Sequence, residues 1–133
     1  LAGHGLELAR GAKASLRIDW AHVPLLQDVT QLAAQGFITG ASGRNWAGYG
    51  NDVKLDTSMG DVRRALLCDP QTSGGLLVAC SPESASQVME VFHHFGFTQA
   101  AVIGSLGQGS PAVEATRRMG LPDDYLYRRR ARA

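Results

Sequence analysis

The 133-residue sequence contains no apolar run close to the 18 residues that a membrane-spanning helix requires, so we expect no membrane segment. It also lacks a charged amino-terminal region followed by an apolar stretch, the pattern of a secretory signal peptide. There is no initiator Met, and the first residues already have the spacing of a helix. We interpret the chain as a piece of a longer protein.

Cysteine is scarce. Cys68 and Cys80 are the two cysteines, and their spacing matches neither a metal knuckle nor a disulfide framework. Cys80 follows an apolar stretch and Cys68 ends a helical pattern, so both are predicted to be small buried or half-buried apolar side chains. Unpaired thiols suit a reducing compartment, and we therefore expect a cytoplasmic protein.

Neither sign of charge predominates, because 13 basic and 12 acidic residues give a net charge of +1. The distribution is uneven, however: residues 117–133 contain six arginines and two aspartates. We treat this stretch as a basic tail outside a domain of residues 1–116. Arginine clusters can bind nucleic acid, but a disordered solubilising end is the favoured interpretation.

Periodicity and turn residues predict an α/β or α+β domain in which helices pack on a small mixed sheet. Four helices are predicted: one that ends at Gly11, one from Pro24 to Gly36, one over residues 59–67, and one from Ser81 to Gly96. The predicted strands cover 14–20, 76–80, 97–106 and 112–116, of which 76–80 is apolar throughout, as in a strand buried on both faces. Residues 36–51 hold five glycines and are predicted to form a long loop.

The stretch from Asp69 to Gly75, Asp-Pro-Gln-Thr-Ser-Gly-Gly, lies between a predicted helix and a predicted strand. Asp69 and Pro70 are expected to order the turn, since a residue before proline leaves the α region. Thr72 and Ser73 offer hydroxyl groups, and glycines at 74 and 75 allow a positive φ. Such a turn can present hydroxyls and backbone N–H groups to an anion, or it can be a tight connection whose hydroxyls cap local backbone.

The glycine-rich stretch 40–50 carries one strong pair of recognition groups, Arg44 and Asn45. A guanidinium group suits phosphate or carboxylate, because it can donate two parallel hydrogen bonds. The alternative is that Arg44 pairs with a nearby acid while Trp46 and Tyr49 pack the loop against the domain.

Three segments together resemble one enzyme family. Asp-Pro-Gln-Thr-Ser-Gly-Gly-Leu-Leu, beginning at Asp69, is similar to the signature near the carboxyl end of selenophosphate synthetase (selenide, water dikinase). Residues 40–50 resemble that family's Gly-rich Arg-Asn…Tyr-Gly loop, and residues 1–8 resemble the helix after its Asp-Val-Thr-Gly-Phe-Gly motif. Order and spacing agree to about residue 115. The resemblance is to the C-terminal domain, which is related to that of aminoimidazole ribonucleotide synthetase and implies a ferredoxin-like fold.

The resemblance implies a parent enzyme that converts ATP, selenide and water to selenophosphate, AMP and phosphate with Mg²⁺, and that works as a homodimer. The family's reactive Cys or selenocysteine, its partner Lys and most of its metal-binding aspartates belong to an N-terminal domain outside this sequence. We therefore expect no catalytic or metal-binding residue here, no tightly bound cofactor, and no activity of this piece alone.

The resemblance also implies which residues contribute to the ATP phosphate cleft. We expect Thr72, Ser73, Gly74 and Gly75 to form one edge of this cleft and Arg44 and Asn45 to close over it. Asp69 is expected to order the turn by accepting backbone N–H bonds. The alternatives are another superfamily member, such as a hydrogenase maturation factor or thiamine phosphate kinase, and a non-enzymatic module that binds nucleic acid through its basic tail.

Overall fold

The computed structural model describes residues 1–117, so the predicted basic tail lies outside the described residues except for Arg117. The helices are α1 (Ala2–Ala12), α2 (Val29–Ala34), α3 (Gly40–Tyr49), α4 (Gly60–Leu67) and α5 (Ala85–His94). The strands are β1 (Ser15–Asp19), β2 (Val53–Leu55), β3 (Gly104–Gly107) and β4 (Ala112–Thr116).

The four strands form one mixed sheet in the order β2-β4-β1-β3. Strands β1 and β2 both pair in parallel with β4, whereas β3 pairs antiparallel with β1 at the edge. In this register Ile18 lies between Ala115 of β4 and Gly104 of β3. The predicted class, a small mixed sheet with packed helices, is therefore confirmed.

Helix α1 covers the sheet and forms the main core with it. Its fully buried side chains Ala2, Leu6 and Ala9 belong to the same cluster as Ile18 and Val113. Small residues at helical spacing let the helix axis approach the sheet closely. At Gly5 there is no space for a side chain, because a Cβ atom would lie 2.7 Å from Leu16 Cδ2.

Helix α1 does not end at Gly11 as predicted. Lys13 adopts the left-handed conformation, with φ of 53°, and closes the helix end. The N–H of Ala14 donates to the carbonyl of Ala9 at 3.0 Å, the six-to-one bond of a Schellman motif. This cap satisfies carbonyls of the last turn without a glycine.

The helix predicted from Pro24 is shorter than expected and begins only at Val29, after Asp28 in a left-handed conformation. Leu32, which the pattern places on the helix's apolar face, is 45% exposed, and Ala33 is the buried residue of α2. Helical periodicity identified a real helix, which packs mainly against α4.

The predicted loop at 36–51 is wrong over most of its length, because residues 40–49 form helix α3. Thr39 caps this helix by accepting the N–H of Ser42 at 3.3 Å. Each interior glycine costs a helix about 1 kcal/mol relative to alanine, which is why the composition indicated a loop. Packing of Trp46 and Tyr49 against the core offsets that cost.

The strand predicted at 76–80 is also wrong. Among the described residues no strand pairs with this segment, and Leu76 and Val78 are 81% and 48% exposed. Together with α5 the segment lines an open apolar groove of about 340 Å³, formed by Leu76, Val78, Val88, Val91, Phe92, Phe95 and Phe97. The strand predicted at 97–106 is confined to β3, and Cys80 is exposed, although Cys68 is buried as expected.

Candidate functional site

The two motif segments, residues 40–50 and 69–75, are neighbours in the folded chain. Helix α3 carries the first, and the turn after α4 carries the second. Asn45 Nδ2 donates to the carbonyl oxygen of Cys68 at 2.8 Å, and Thr39 Oγ1 donates to Asp69 Oδ1 at 3.2 Å. These two bonds place the start and the middle of α3 beside the residues at which the turn begins.

Asp69 orders the turn, but not through the backbone N–H groups that were predicted. Its carboxylate accepts hydrogen bonds from two side chains, the Thr39 hydroxyl and Gln71 Nε2, the latter at 2.8 Å from Oδ2. The next residue, Pro70, has no N–H to donate. The side-chain amide of Gln71 takes its place and folds the turn back on the carboxylate.

Gly74 is needed in this turn for a reason other than its φ angle. Its N–H donates to the Gln71 carbonyl at 3.1 Å, and a Cβ atom at Gly74 would lie 2.9 Å from Gln71 Cβ. Gly74 and Gly75 do not use the positive φ that glycine allows, since within residues 1–117 the glycines with positive φ are 36, 60, 96 and 109. The tight turn, not the left-handed backbone, excludes a side chain at Gly74.

The polar groups proposed to contact phosphate are accessible. Thr72, Ser73, Gly74 and Gly75 are all exposed, and Arg44 is exposed on α3. None of the ion pairs among residues 1–117 includes Arg44, so the alternative that it pairs with a local acid finds no support there. Asn45 is half-buried, and its Nδ2 already bonds to Cys68.

Two aromatic side chains of α3, Tyr49 and Trp46, pack this helix against α1 and α4. The ring of Tyr49 lies against Gly3 of α1, where a Cβ atom would come within 3.1 Å of it. The Arg64 guanidinium stacks over Trp46, with its carbon 5.4 Å from the ring centroid, a cation–π contact between α4 and α3. The predicted packing of Trp46 and Tyr49 is therefore observed, but from a helix and not from a loop.

Burial raises the pKa of the Cys68 thiol and of the Tyr49 hydroxyl, which contact each other at this interface. Burial dominates both shifts because an apolar environment penalises the charged form. A thiol whose folded-state pKa is raised stabilises the fold below its unfolded pKa, and this contribution is lost as pH rises through the interval between the two values.

We therefore expect alkaline pH to destabilise the protein through Cys68. The melting temperature should fall as the pH rises above about 8.5, the ordinary thiol pKa, and the fall should be smaller in Cys68→Ala. Differential scanning fluorimetry between pH 8 and pH 10 measures this slope. Cys80→Ala, which removes an exposed thiol, is the matched control and should keep the wild-type slope. Equal slopes in all three proteins would contradict the expectation.

Asn45→Ala is expected to lower the free energy of unfolding by about 1 kcal/mol, because the Cys68 carbonyl loses its side-chain donor. Urea denaturation followed by tryptophan fluorescence measures the change. Asn51→Ala, at an exposed position just after α3, should change the free energy by less than about 0.5 kcal/mol. If the two variants are equally stable, the Asn45 bond does not hold α3 to the turn.

Within residues 1–117 there is no cluster of three or more His, Cys, Asp or Glu side chains that could hold a metal ion. The same residues include no helix that is both long and apolar enough to cross a membrane. Sequence reasoning missed Thr39, which lies outside both motif segments. Its position directly before a Gly-Ala-Ser helix start is the signal that could have identified it as a cap.

Comparison with known proteins gives consistent results. Residues 1–114 match the family described as AIR synthase related protein, C-terminal domain. The chain is 58% identical over 113 residues to a selenide, water dikinase of Pseudomonas straminea, covering 85% of this chain and 32% of that protein. It is 53% identical over 114 residues to the selenide, water dikinase of Burkholderia orbicola and 41% identical over 114 residues to that of Dechloromonas aromatica. The chain thus spans about a third of the length of these curated relatives.

Proposed function

This chain belongs to the family of C-terminal domains of AIR synthase related proteins, and we propose that it forms the C-terminal domain of a selenide, water dikinase. The observation that carries the proposal is the identity to enzymes of that name over nearly the whole domain. The same names favour a dikinase over the alternatives of a hydrogenase maturation factor or a thiamine phosphate kinase.

The proposed reaction is the conversion of ATP, selenide and water to selenophosphate, AMP and phosphate. Phosphoryl transfer depends mainly on positioning and on electrostatic stabilisation of the phosphate oxygens. In this chain Arg44 supplies a guanidinium that can donate to two oxygens at once, and the hydroxyls of Thr72 and Ser73 can donate one bond each. The proposed role of the domain is to bind and orient phosphate, while the rest of the protein supplies the reacting groups.

The geometry supports a shared site for these groups. Arg44 is on α3, Thr72 and Ser73 are on the turn after α4, and the bonds Asn45–Cys68 and Thr39–Asp69 join these two elements. The side chains of Arg44, Thr72 and Ser73 are exposed and therefore accessible to a ligand. Direct contact of Asn45, Gly74 or Gly75 with phosphate stays a prediction.

Residues 1–117 contain no group of three or more His, Cys, Asp or Glu side chains that could hold a cation without a phosphate ligand. We propose that the ligands of a Mg²⁺ ion belong to the remainder of the enzyme. The parent protein is proposed to be a homodimer in the cytoplasm, a compartment that suits the free thiols Cys68 and Cys80.

The test uses the full-length protein that contains this chain. It is incubated with ATP and Mg²⁺, with and without selenide, and the products are followed by ³¹P NMR. Selenide-dependent AMP together with a selenium-bonded phosphate is the expected result. Formation of ADP, or no conversion of ATP, would overturn the proposed function.

A further inference from the structure

Four hydrogen bonds connect the start of α3 to the phosphate turn, here defined as residues 69–75. Ser42 Oγ lies 3.2 Å from Thr39 Oγ1, which lies 3.2 Å from Asp69 Oδ1. Gln71 Nε2 donates to Asp69 Oδ2 at 2.8 Å, and the Gly74 N–H donates to the Gln71 carbonyl at 3.1 Å. The bonds form a path from Ser42, a buried serine that is 3% exposed, to Gly74.

The direction of each bond at Thr39 follows from the chemistry of its partners. An ionised carboxylate only accepts, so the single hydroxyl proton of Thr39 goes to Asp69. Ser42 must then donate its own hydroxyl proton to Thr39 Oγ1, which also accepts the Ser42 N–H. With one bond donated and two accepted, the threonine hydroxyl has a single orientation.

Within residues 1–117, the Thr39–Asp69 bond is the hydrogen bond that ties residues 69–80 to a part of the chain distant in sequence, 30 positions away. The remaining hydrogen bonds of this segment connect residues two or three positions apart. Asn45 bonds to Cys68, the residue just before the turn, whereas the Thr39–Asp69 bond links the turn itself to the start of α3, the helix that carries Arg44.

We propose that Thr39 is a positioning residue that holds the phosphate turn in register with Arg44. Its effect on ATP rests on the proposed function, because the turn and Arg44 then contact the same phosphate chain. Without the bond the turn samples other positions. ATP binding must then also order the turn, which lowers the affinity for ATP. Thr39 itself need not touch the substrate.

A simpler role for Thr39 is to cap α3. One substitution separates the two roles, Thr39→Asp. Aspartate is as good an N-cap residue as threonine and can accept the Ser42 N–H. It has no proton to donate to Asp69 and places a second negative charge beside it. Thr39→Ser keeps both functions of the hydroxyl and serves as the conservative variant.

The experiment combines millisecond hydrogen–deuterium exchange with steady-state kinetics on the full-length protein. In Thr39→Asp we expect exchange to accelerate in peptides covering 69–75, while peptides covering α3 keep their wild-type protection. The KM for ATP should rise about tenfold, the equivalent of about 1.4 kcal/mol, with kcat within about twofold of wild type. Thr39→Ser should restore both quantities, and Thr98→Asp, the same charge change at an exposed threonine, should alter neither.

Wild-type exchange of residues 69–75 in Thr39→Asp would overturn the proposal and leave Thr39 as a cap. If Thr39→Asp fails to fold, Asp69→Ala removes the acceptor from outside α3, and the same acceleration is expected. If the wild-type enzyme converts no ATP, the proposed function fails, and the exchange comparison by itself decides the role of Thr39.

Discussion

On the proposed function, Arg44→Ala in the full-length protein is expected to reduce kcat/KM for ATP by about 10²–10³-fold, the usual effect of removing one donor from a site that stabilises developing charge. The guanidinium is exposed on α3 and is not among the ion pairs of residues 1–117, so its removal should leave the fold intact. Selenide-dependent AMP formation at varied ATP concentration measures the loss.

Two variants make the Arg44 experiment specific. Arg44→Lys keeps the charge but loses the planar fork, so it should recover only part of the activity. Arg17→Ala removes an exposed arginine of β1 that pairs with Glu114 at 3.6 Å, and it should retain wild-type turnover. Ser73→Ala is expected to show a smaller loss than Arg44→Ala, because it removes one neutral donor. If neither Arg44→Ala nor Ser73→Ala changes turnover, the phosphate cleft is not formed by these residues.

Gly104→Ala is expected to cause a large loss of stability. A Cβ atom at Gly104 would overlap the Arg17 carbonyl oxygen of β1, the antiparallel neighbour of β3 in the sheet. The obstacle is backbone and not a flexible side chain, so the two strands must separate. We expect the free energy of unfolding to fall by about 3 kcal/mol or more, at the upper end of the range for overpacked sites.

Gly107→Ala is the matched control for this prediction. Gly107 lies in the same strand and pairs with Ser15 of β1. A Cβ atom at this position would have no other atom within 4 Å. Thermal melts should show Gly104→Ala lower than Gly107→Ala by about 10 °C or more. Melting temperatures within about 2 °C of each other would mean that β3 does not approach β1 as closely as the structure shows.

Sequence reasoning succeeded where the signal was local. Strand β1 follows the period-two alternation around Leu16 and Ile18, and α5 ends before Gly96, whose φ is 86°. Burial of alternate residues and a left-handed helix stop depend on the chain within a few residues. The roles of the turn residues Thr72 and Ser73 in phosphate binding stay a prediction.

Sequence reasoning failed where contacts between residues distant in the chain determine the local secondary structure. The glycines of α3 indicate a loop by propensity, yet Tyr49 and Trp46 gain more by packing against α1 and α4 than the glycines cost. An apolar run such as 76–80 becomes a strand only when another strand pairs with it, and no local pattern specifies that partner.

By itself the sequence determined the mixed α/β class and the family, and it suggested Arg44, Thr72 and Ser73 as the residues of the proposed phosphate chemistry. Only the tertiary structure decided that residues 40–50 and 69–75 are adjacent, and that Thr39 and Asn45 join them. The physical reason is that hydrogen bonds between residues 23 to 30 positions apart form only after the helices pack, whereas side-chain chemistry and short-range periodicity are properties of the chain itself.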